Sequence, residues 1–138
     1  MPHPIFSDAW ARACAERLNA RDAYRAAAAT WEGAILLRMH KAGGEARRVF
    51  LDLWHGECRA ARAGTAEDEE AARYILDGEP AAWEQVLTGR VAPLLAIMTG
   101  KLKLAKGSLA ELLPYVNAAK ELVSAAAEVD AIFADARD

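Results

Sequence analysis

The pattern of hydrophobic and polar residues predicts two short helices and a strand in quick succession between residues 80 and 108. A proline suits the first turn of a helix, because the amide that it lacks would have been unpaired there, and glycine commonly follows the last turn. Pro80 and Gly89 mark one helix in this way, and Pro93 and Gly100 mark the second. The second helix has almost no polar side, so it must be enclosed by protein or by a ligand.

Alternation of apolar and polar side chains predicts three strands, and two further short segments complete a predicted sheet of five. Glycines within residues 41–45 suit a hairpin turn between the first two strands. In the last strand, Leu102 and Leu104 share one face and the lysines share the other. The predicted strands cover residues 31–40, 47–54, 57–62, 71–77 and 102–105.

Helical spacing predicts helices before the first strand and after the last strand of the sequence. Ser7 suits the start of a helix that ends near Leu18. Ser108 and Glu111 have the spacing of a capping box, and Pro114 should interrupt the helical region that they begin. An apolar stripe that includes Tyr115, Ala119 and Leu122 continues it. We therefore expect a single domain with N-terminal helices over 7–29, the sheet and crossover helices over 31–106, and C-terminal helices over 108–134.

An ordered set of short motifs surrounds the second of the two short helices. It consists of Thr88-Gly89-Arg90, the helix that Pro93 begins, the run Gly100-Lys101-Leu102-Lys103-Leu104, and Gly107. This set resembles the signature of the sterol carrier protein type 2 family of lipid-binding domains. Upstream, Val49 to Gly56 is similar to the apolar-Asp-apolar strand of that family, which ends in a glycine turn. The likeness covers roughly Trp31 to Pro114.

The resemblance implies an α+β fold with a mixed five-stranded sheet, helices over one face, and an apolar cavity between the two. It also implies non-catalytic binding or transfer of a fatty acid, a fatty acyl-CoA or another lipid. A sterol is less expected, because Thr99 stands where some relatives have Gln and because the C-terminal helix is longer than usual. Carried over residue by residue, the ligand-binding positions would be Ile35, Leu37, Leu51, Leu53, Leu87, Leu95, Met98, Leu102, Leu104, Leu112, Leu113 and Val116.

Length, charge and cysteine content narrow the class of protein. The chain has 138 residues, a net charge of −3 and a pI near 5.6, so a nucleic acid is not expected as a partner and an anionic membrane should attract it only weakly. No apolar run approaches the roughly 20 residues needed to span a bilayer, so integral membrane association is not expected either. Cys14 and Cys58 are too few for a disulfide framework, and neither a secretory signal nor a peroxisomal address is visible. We therefore expect a cytoplasmic protein.

An enzymatic role would have to use Asp52, His55 and Cys58, with His40 across the hairpin. His55 and Cys58 have a spacing seen in metal sites, but two ligands do not complete a zinc site. The sequence contains no nucleophile elbow and no glycine-rich phosphate loop. We therefore predict that the protein is not an enzyme and uses no metal or cofactor.

Protein association is the alternative function that the sequence leaves open. The outward face of the predicted sheet carries four large apolar residues, and such a patch needs a cover. The N-terminal helices or a second copy of the chain would provide one, in the latter case as a homodimer. On this alternative the core is filled and the domain supports a partner enzyme. The patch consists of Leu36, Phe50, Trp54 and Ile75.

Overall fold

The computed structural model describes residues 2–40 and 44–133. Most of the turn predicted over 41–45 lies outside the described residues. In chain order the elements are β1 (His3–Pro4), α1 (Asp8–Asn19), α2 (Asp22–Ala27), β2 (Glu32–His40), β3 (Ala46–Trp54), β4 (Glu57–Ala63), α3 (Asp68–Ala71), β5 (Tyr74–Gly78), α4 (Pro80–Leu87), α5 (Pro93–Met98), β6 (Leu102–Lys106), α6 (Leu109–Leu112), a 3₁₀ turn (Leu113–Tyr115), α7 (Val116–Ala127) and β7 (Ala131–Ile132).

The main sheet has five strands in the order β4-β3-β2-β5-β6. In this sheet β2 and β5 pair in parallel, and the other neighbours are antiparallel. Leu37 lies opposite Val49 on one neighbouring strand and opposite Leu76 on the other, so apolar side chains stand side by side across the sheet. The predicted α+β class with a mixed five-stranded sheet is confirmed.

Helices cover one face of the sheet, where the main hydrophobic core lies. At one edge α1 packs against β4, and at the other α5 packs against β6, while α7 contacts α1, α2, α4 and α5. Trp83 and Tyr24 are among the largest side chains in this core that are nearly inaccessible to solvent. Within the part of the chain that the structure describes, no helix combines the length and the apolar character needed to cross a bilayer.

The opposite face of the sheet is covered by the chain itself. Leu36 and Ile75 are buried there against Ala72, and Phe50 packs against them. The sequence predicts that the N-terminal helices or a second copy of the chain cover this face, but for Leu36 and Ile75 the cover is the segment 64–72, which includes α3. Trp54 remains 39% exposed, with the Arg59 guanidinium 4.9 Å from its ring centre.

A charge network fixes the covering segment in place. The Glu69 carboxylate accepts hydrogen bonds from Arg48 Nε at 2.6 Å and Arg38 Nη1 at 2.8 Å. Arg38 also donates to Asp77 at 3.0 Å. These charged side chains are each about three quarters or more shielded, so each ion pair depends on its partner for compensation.

The ends of the chain agree with the predictions only in part. Ser7 Oγ accepts a hydrogen bond from the Trp10 amide at 3.1 Å, which is the predicted helix cap. Ser108 makes no such bond, and the Glu111 carboxylate binds Arg73 instead, so the predicted capping box is wrong. The last helix ends at Ala127, and Ala131–Ile132 forms a short strand parallel to His3–Pro4, so the predicted helix is wrong for the described residues 128–133.

Gly107 permits a close contact that shapes one end of the domain. Its φ of 100° favours glycine, and a Cβ atom there would clash with Tyr74 Cδ1. The Tyr74 ring is therefore able to pack against Trp31, with ring centres 5.0 Å apart. Trp31 in turn meets Tyr115 edge to face at 4.8 Å.

We expect Glu69→Gln to lower the free energy of unfolding by about 1–2 kcal/mol, because two partly buried guanidinium groups lose a charged acceptor. Urea denaturation followed by circular dichroism measures the change. Glu70→Gln is the matched control, since its side chain is exposed and forms no ion pair with the described residues. Equal losses in the two variants would contradict the role assigned to the network.

Candidate functional site

An apolar cavity of about 110 Å³ lies between the sheet and the helices. One water molecule needs roughly 10–15 Å³ of such space, so the cavity is larger than a packing defect. Among the described residues, no Asp, Glu, Lys, Arg or His side chain lines it. The lining residues are Tyr24, Ala28, Trp31, Ile35, Leu37, Leu53, Leu76, Trp83, Val86, Leu87, Pro93, Leu94, Ile97, Leu102, Leu112, Tyr115, Val116, Ala118, Ala119, Leu122 and Val123.

The polar atoms of three lining aromatic residues are bound to the protein. Trp31 Nε1 donates to the Gly33 carbonyl at 2.8 Å, and Trp83 Nε1 donates to the Arg38 carbonyl at 2.9 Å. The Tyr115 hydroxyl lies 2.9 Å from the Thr30 hydroxyl. These side chains therefore offer a guest mainly their hydrocarbon surfaces.

Tyr24 is the fourth aromatic residue of the lining. It belongs to the core rather than the surface, and burial raises the pKa of its hydroxyl well above the ordinary value. The side chain is therefore neutral throughout the physiological range. With it, every described residue of the lining is uncharged at neutral pH.

Seven of the twelve sequence-predicted ligand positions line this cavity. They come from three strands, from α4 and from the start of the C-terminal helical region, and the tertiary fold brings them together. They are Ile35, Leu37, Leu53, Leu87, Leu102, Leu112 and Val116.

The other five predicted positions lie elsewhere. Leu95, Met98 and Leu113 are 52%, 68% and 50% exposed, because they are on the solvent side of their helical segments. Leu104 packs partly buried against the core. Leu51 is buried, but it faces a smaller neighbouring cavity.

Several lining residues were missed from the sequence, above all on α7. Tyr115, Ala119 and Leu122 belong to an apolar stripe that the spacing did reveal, and that stripe was the available signal. Ala28 and Ala118 carried no signal, because a small side chain beside a cavity looks in sequence like any helical alanine.

The smaller cavity has a volume of about 20 Å³ and shares three lining residues with the larger one, namely Leu37, Leu87 and Leu122. It also contains both cysteines. Burial raises the pKa of the Cys14 thiol to about 12 and that of the Cys58 thiol to about 11. Both groups are therefore thiols at neutral pH, which is the unreactive form.

The acidic and basic residues considered for catalysis are each paired with another side chain of the protein. Asp52 accepts from Arg59 Nη2 at 2.9 Å, and His55 Nε2 lies 2.6 Å from Glu32 Oε2. His40 Nδ1 lies 2.9 Å from Asp77 Oδ1. Over residues 2–40 and 44–133, no cluster of three or more His, Cys, Asp or Glu side chains is placed to hold a metal ion.

A family model described as the SCP-2 sterol transfer family matches residues 14–120. No curated protein matches the sequence.

Several solved structures resemble the chain, among them the following three. The crystal structure of a sterol carrier protein 2 is 47% identical, covers 91% of this chain and 98% of its own, and has a TM-score of 0.82. The solution structure of a conserved hypothetical protein from Thermus thermophilus is 44% identical, with 93% and 91% coverage and a TM-score of 0.82. Sterol carrier protein 2 of Aedes aegypti, solved with the C16 fatty acid palmitate, is 20% identical, with 83% and 96% coverage and a TM-score of 0.52, and it shows similarity of fold.

We expect the native protein to react slowly with a disulfide reagent at pH 8, because a thiol with a pKa of about 11 is only about 0.1% thiolate at that pH. The reaction should accelerate as the pH rises toward that value. Absorbance of the released thiol measures the rate, and unfolded protein in denaturant should release two equivalents quickly. A rapid burst of one equivalent from the native protein would show an activated cysteine, which Cys14→Ala and Cys58→Ala would then identify.

Proposed function

The chain belongs to the SCP-2 sterol transfer family, and from this premise we propose that it binds a lipid in its cavity and transfers it without chemical change. The proposed ligand is a fatty acid, a fatty acyl-CoA or another lipid with a hydrocarbon chain. The palmitate bound by the Aedes aegypti protein of similar fold supports an acyl chain as the ligand.

The observation that carries the proposal is the cavity without charged residues in its described lining. A hydrocarbon chain leaves water when it enters such a space, and the lining makes no demand for a polar partner. A carboxylate or a CoA group would be costly to bury there, since no cation of the described lining compensates it. We therefore place the hydrocarbon inside and the polar group of the ligand at the entrance.

The hydrophobic effect alone supplies enough free energy. Burial of a methylene group contributes about 0.8 kcal/mol, so a chain of about sixteen carbons gains on the order of 10 kcal/mol once the cavity has widened to enclose it. Widening is required, because the cavity of about 110 Å³ is smaller than one of about 150 Å³ that holds a single benzene molecule. Immobilisation of the ligand removes several kcal/mol of this gain. The remainder corresponds to roughly micromolar affinity, which suits a carrier because the ligand must also be released.

A binding function is favoured over catalysis by the chemistry of the site. Both thiols near the cavity are held in their neutral form by burial, and the candidate acids and bases are engaged in pairs on the surface. The unpaired state of Cys14 and Cys58 also supports a reducing compartment, and we propose the cytoplasm.

The alternative of a filled core that serves association has less support, since the space between sheet and helices is not filled. Homodimerisation through Leu36, Phe50, Trp54 and Ile75 is similarly weakened by the burial of two of these residues within the chain. Gel filtration at high concentration distinguishes a dimer from a monomer.

We expect Ala119→Phe to lower the affinity for a fluorescent fatty acid by at least about tenfold, because the new ring would occupy space from which a chain of the ligand gains its burial energy. Displacement of the probe by unlabelled palmitate measures the affinity of both proteins. Mass spectrometry of an organic extract of the purified protein tests whether a lipid accompanies it.

Ala127→Phe is the matched control, since Ala127 lies on the same helix with its side chain exposed. It should bind the probe like the unmodified protein. If neither variant changes the affinity, or if the unmodified protein binds no probe and carries no lipid, the proposed function is wrong.

A further inference from the structure

Helix α5 carries apolar residues both on the face toward the cavity and on the face toward solvent. Its inner residues Pro93, Leu94 and Ile97 line the cavity. Its outer residues Leu95 and Met98 are three positions apart, so they lie side by side on the helix, and both are more than half exposed. Two large apolar side chains next to each other on one short helix form an exposed apolar patch. Such a patch is typical of a surface that contacts a membrane or another protein.

The segment 112–116, which also borders the cavity, has one large apolar side chain directed toward solvent. Leu112, Tyr115 and Val116 line the cavity, while Leu113 between them is half exposed. Large exposed hydrophobic side chains are few in the described part of the chain, and three of the five lie on these two segments. The apolar exposure is therefore concentrated where the cavity is bounded.

The charged residues that flank α5 in the sequence are basic, although the whole chain is negative, with 20 acidic and 17 basic residues. Of the four basic residues within 85–110, Lys103 and Lys106 belong to β6, and Lys106 Nζ donates to the Glu69 and Glu70 carbonyls, so Arg90 and Lys101 are the two cations beside α5. Arg90 precedes α5 and Lys101 follows it, and both are exposed. Neither makes an ion pair with a described carboxylate, and Lys101 donates to the neutral Gln85 amide at 2.9 Å.

We propose that Arg90, Leu95, Met98 and Lys101 form a docking surface for an anionic lipid bilayer. Leu95 and Met98 enter the interfacial region, and the two cations contact lipid phosphates. The net charge of −3 does not oppose this contact, because charges beyond a Debye length of about 8 Å are largely screened at physiological ionic strength. The cations next to the membrane therefore decide the interaction.

Docking in this orientation places α5 between the cavity and the membrane. A lipid leaving the bilayer would then reach the cavity past one short helix rather than through water. This consequence rests on the proposed function, whereas the docking itself does not.

Sedimentation with vesicles tests the proposal, using phosphatidylcholine alone and phosphatidylcholine mixed with phosphatidylglycerol. We expect the full chain to bind the mixed vesicles, with lower affinity at high salt, and to bind the neutral vesicles more weakly. Arg90→Gln should lower the partition coefficient on mixed vesicles about fivefold, which is the contribution typical of one basic residue near an anionic surface. Leu95→Gln combined with Met98→Gln should lower it about tenfold or more on mixed vesicles.

Arg17→Gln is the matched control. Arg17 is exposed on α1, which packs at the opposite edge of the sheet, and its removal changes the net charge by the same amount. Equal effects of Arg17→Gln and Arg90→Gln, or vesicle binding by the double variant equal to that of the unmodified protein, would overturn the proposal.

Two further measurements distinguish membrane docking from lipid binding in the cavity and from homodimerisation. Binding of the soluble fluorescent fatty acid should be unchanged in the double variant, because neither altered residue lines the cavity. Loss of vesicle binding with fatty acid binding intact therefore supports the docking surface, and absence of fatty acid binding in the unmodified protein counts against the cavity function alone. A shift of the double variant from dimer to monomer on gel filtration would instead assign the surface to contact between copies and overturn the proposal.

Discussion

The structure depends on covering one apolar face of a sheet with helices that do not fill the space above it. Ala28, Ala118 and Ala119 face the cavity from the helical layer, and alanine excludes water while occupying little volume. An unfilled volume costs about 24 cal/mol per Å³, so a cavity of about 110 Å³ costs about 2–3 kcal/mol relative to a packed core. A domain of this size can bear that cost because hydrophobic burial elsewhere in the core is extensive.

The same constraint limits what the cavity can recognise. The indole N–H groups of Trp31 and Trp83 donate to backbone carbonyls and are not available to a ligand. The cavity therefore distinguishes ligands mainly by the shape and length of their hydrocarbon part. One methylene more or less in a hydrophobic pocket changes binding by only about 1–3 kcal/mol. Broad selectivity among hydrocarbon chains follows, and finer discrimination has to come from groups outside the lining.

Sequence patterns predicted the helices and strands better than they predicted which side chains face solvent, the cavity or the rest of the core. Alternation located the strands, and the proline and glycine pairs located α4 and α5, because these signals are local. The family resemblance implies that Leu95 and Met98 bind the ligand, although both face solvent. Six consecutive apolar residues give no rotational phase, so the pattern of the helix could not correct that expectation. A void leaves no signal at all, since lining residues and packed residues have the same composition. The cover over Leu36 was also hidden, because it depends on distant charges such as Glu69.

The helices that border the cavity differ in how firmly they are held. Four of the eight residues of α4 are buried, whereas in α5 only Ala96 is. Gly89 and Gly100, both with φ of 81°, bound α5, and a Cβ atom at either position would touch nothing within 4 Å. Since the free energy that holds a segment in place scales with the apolar area it buries, α5 can move from the sheet at lower cost than α4. The wall of the cavity that is easiest to displace is therefore also the one with apolar side chains directed outward.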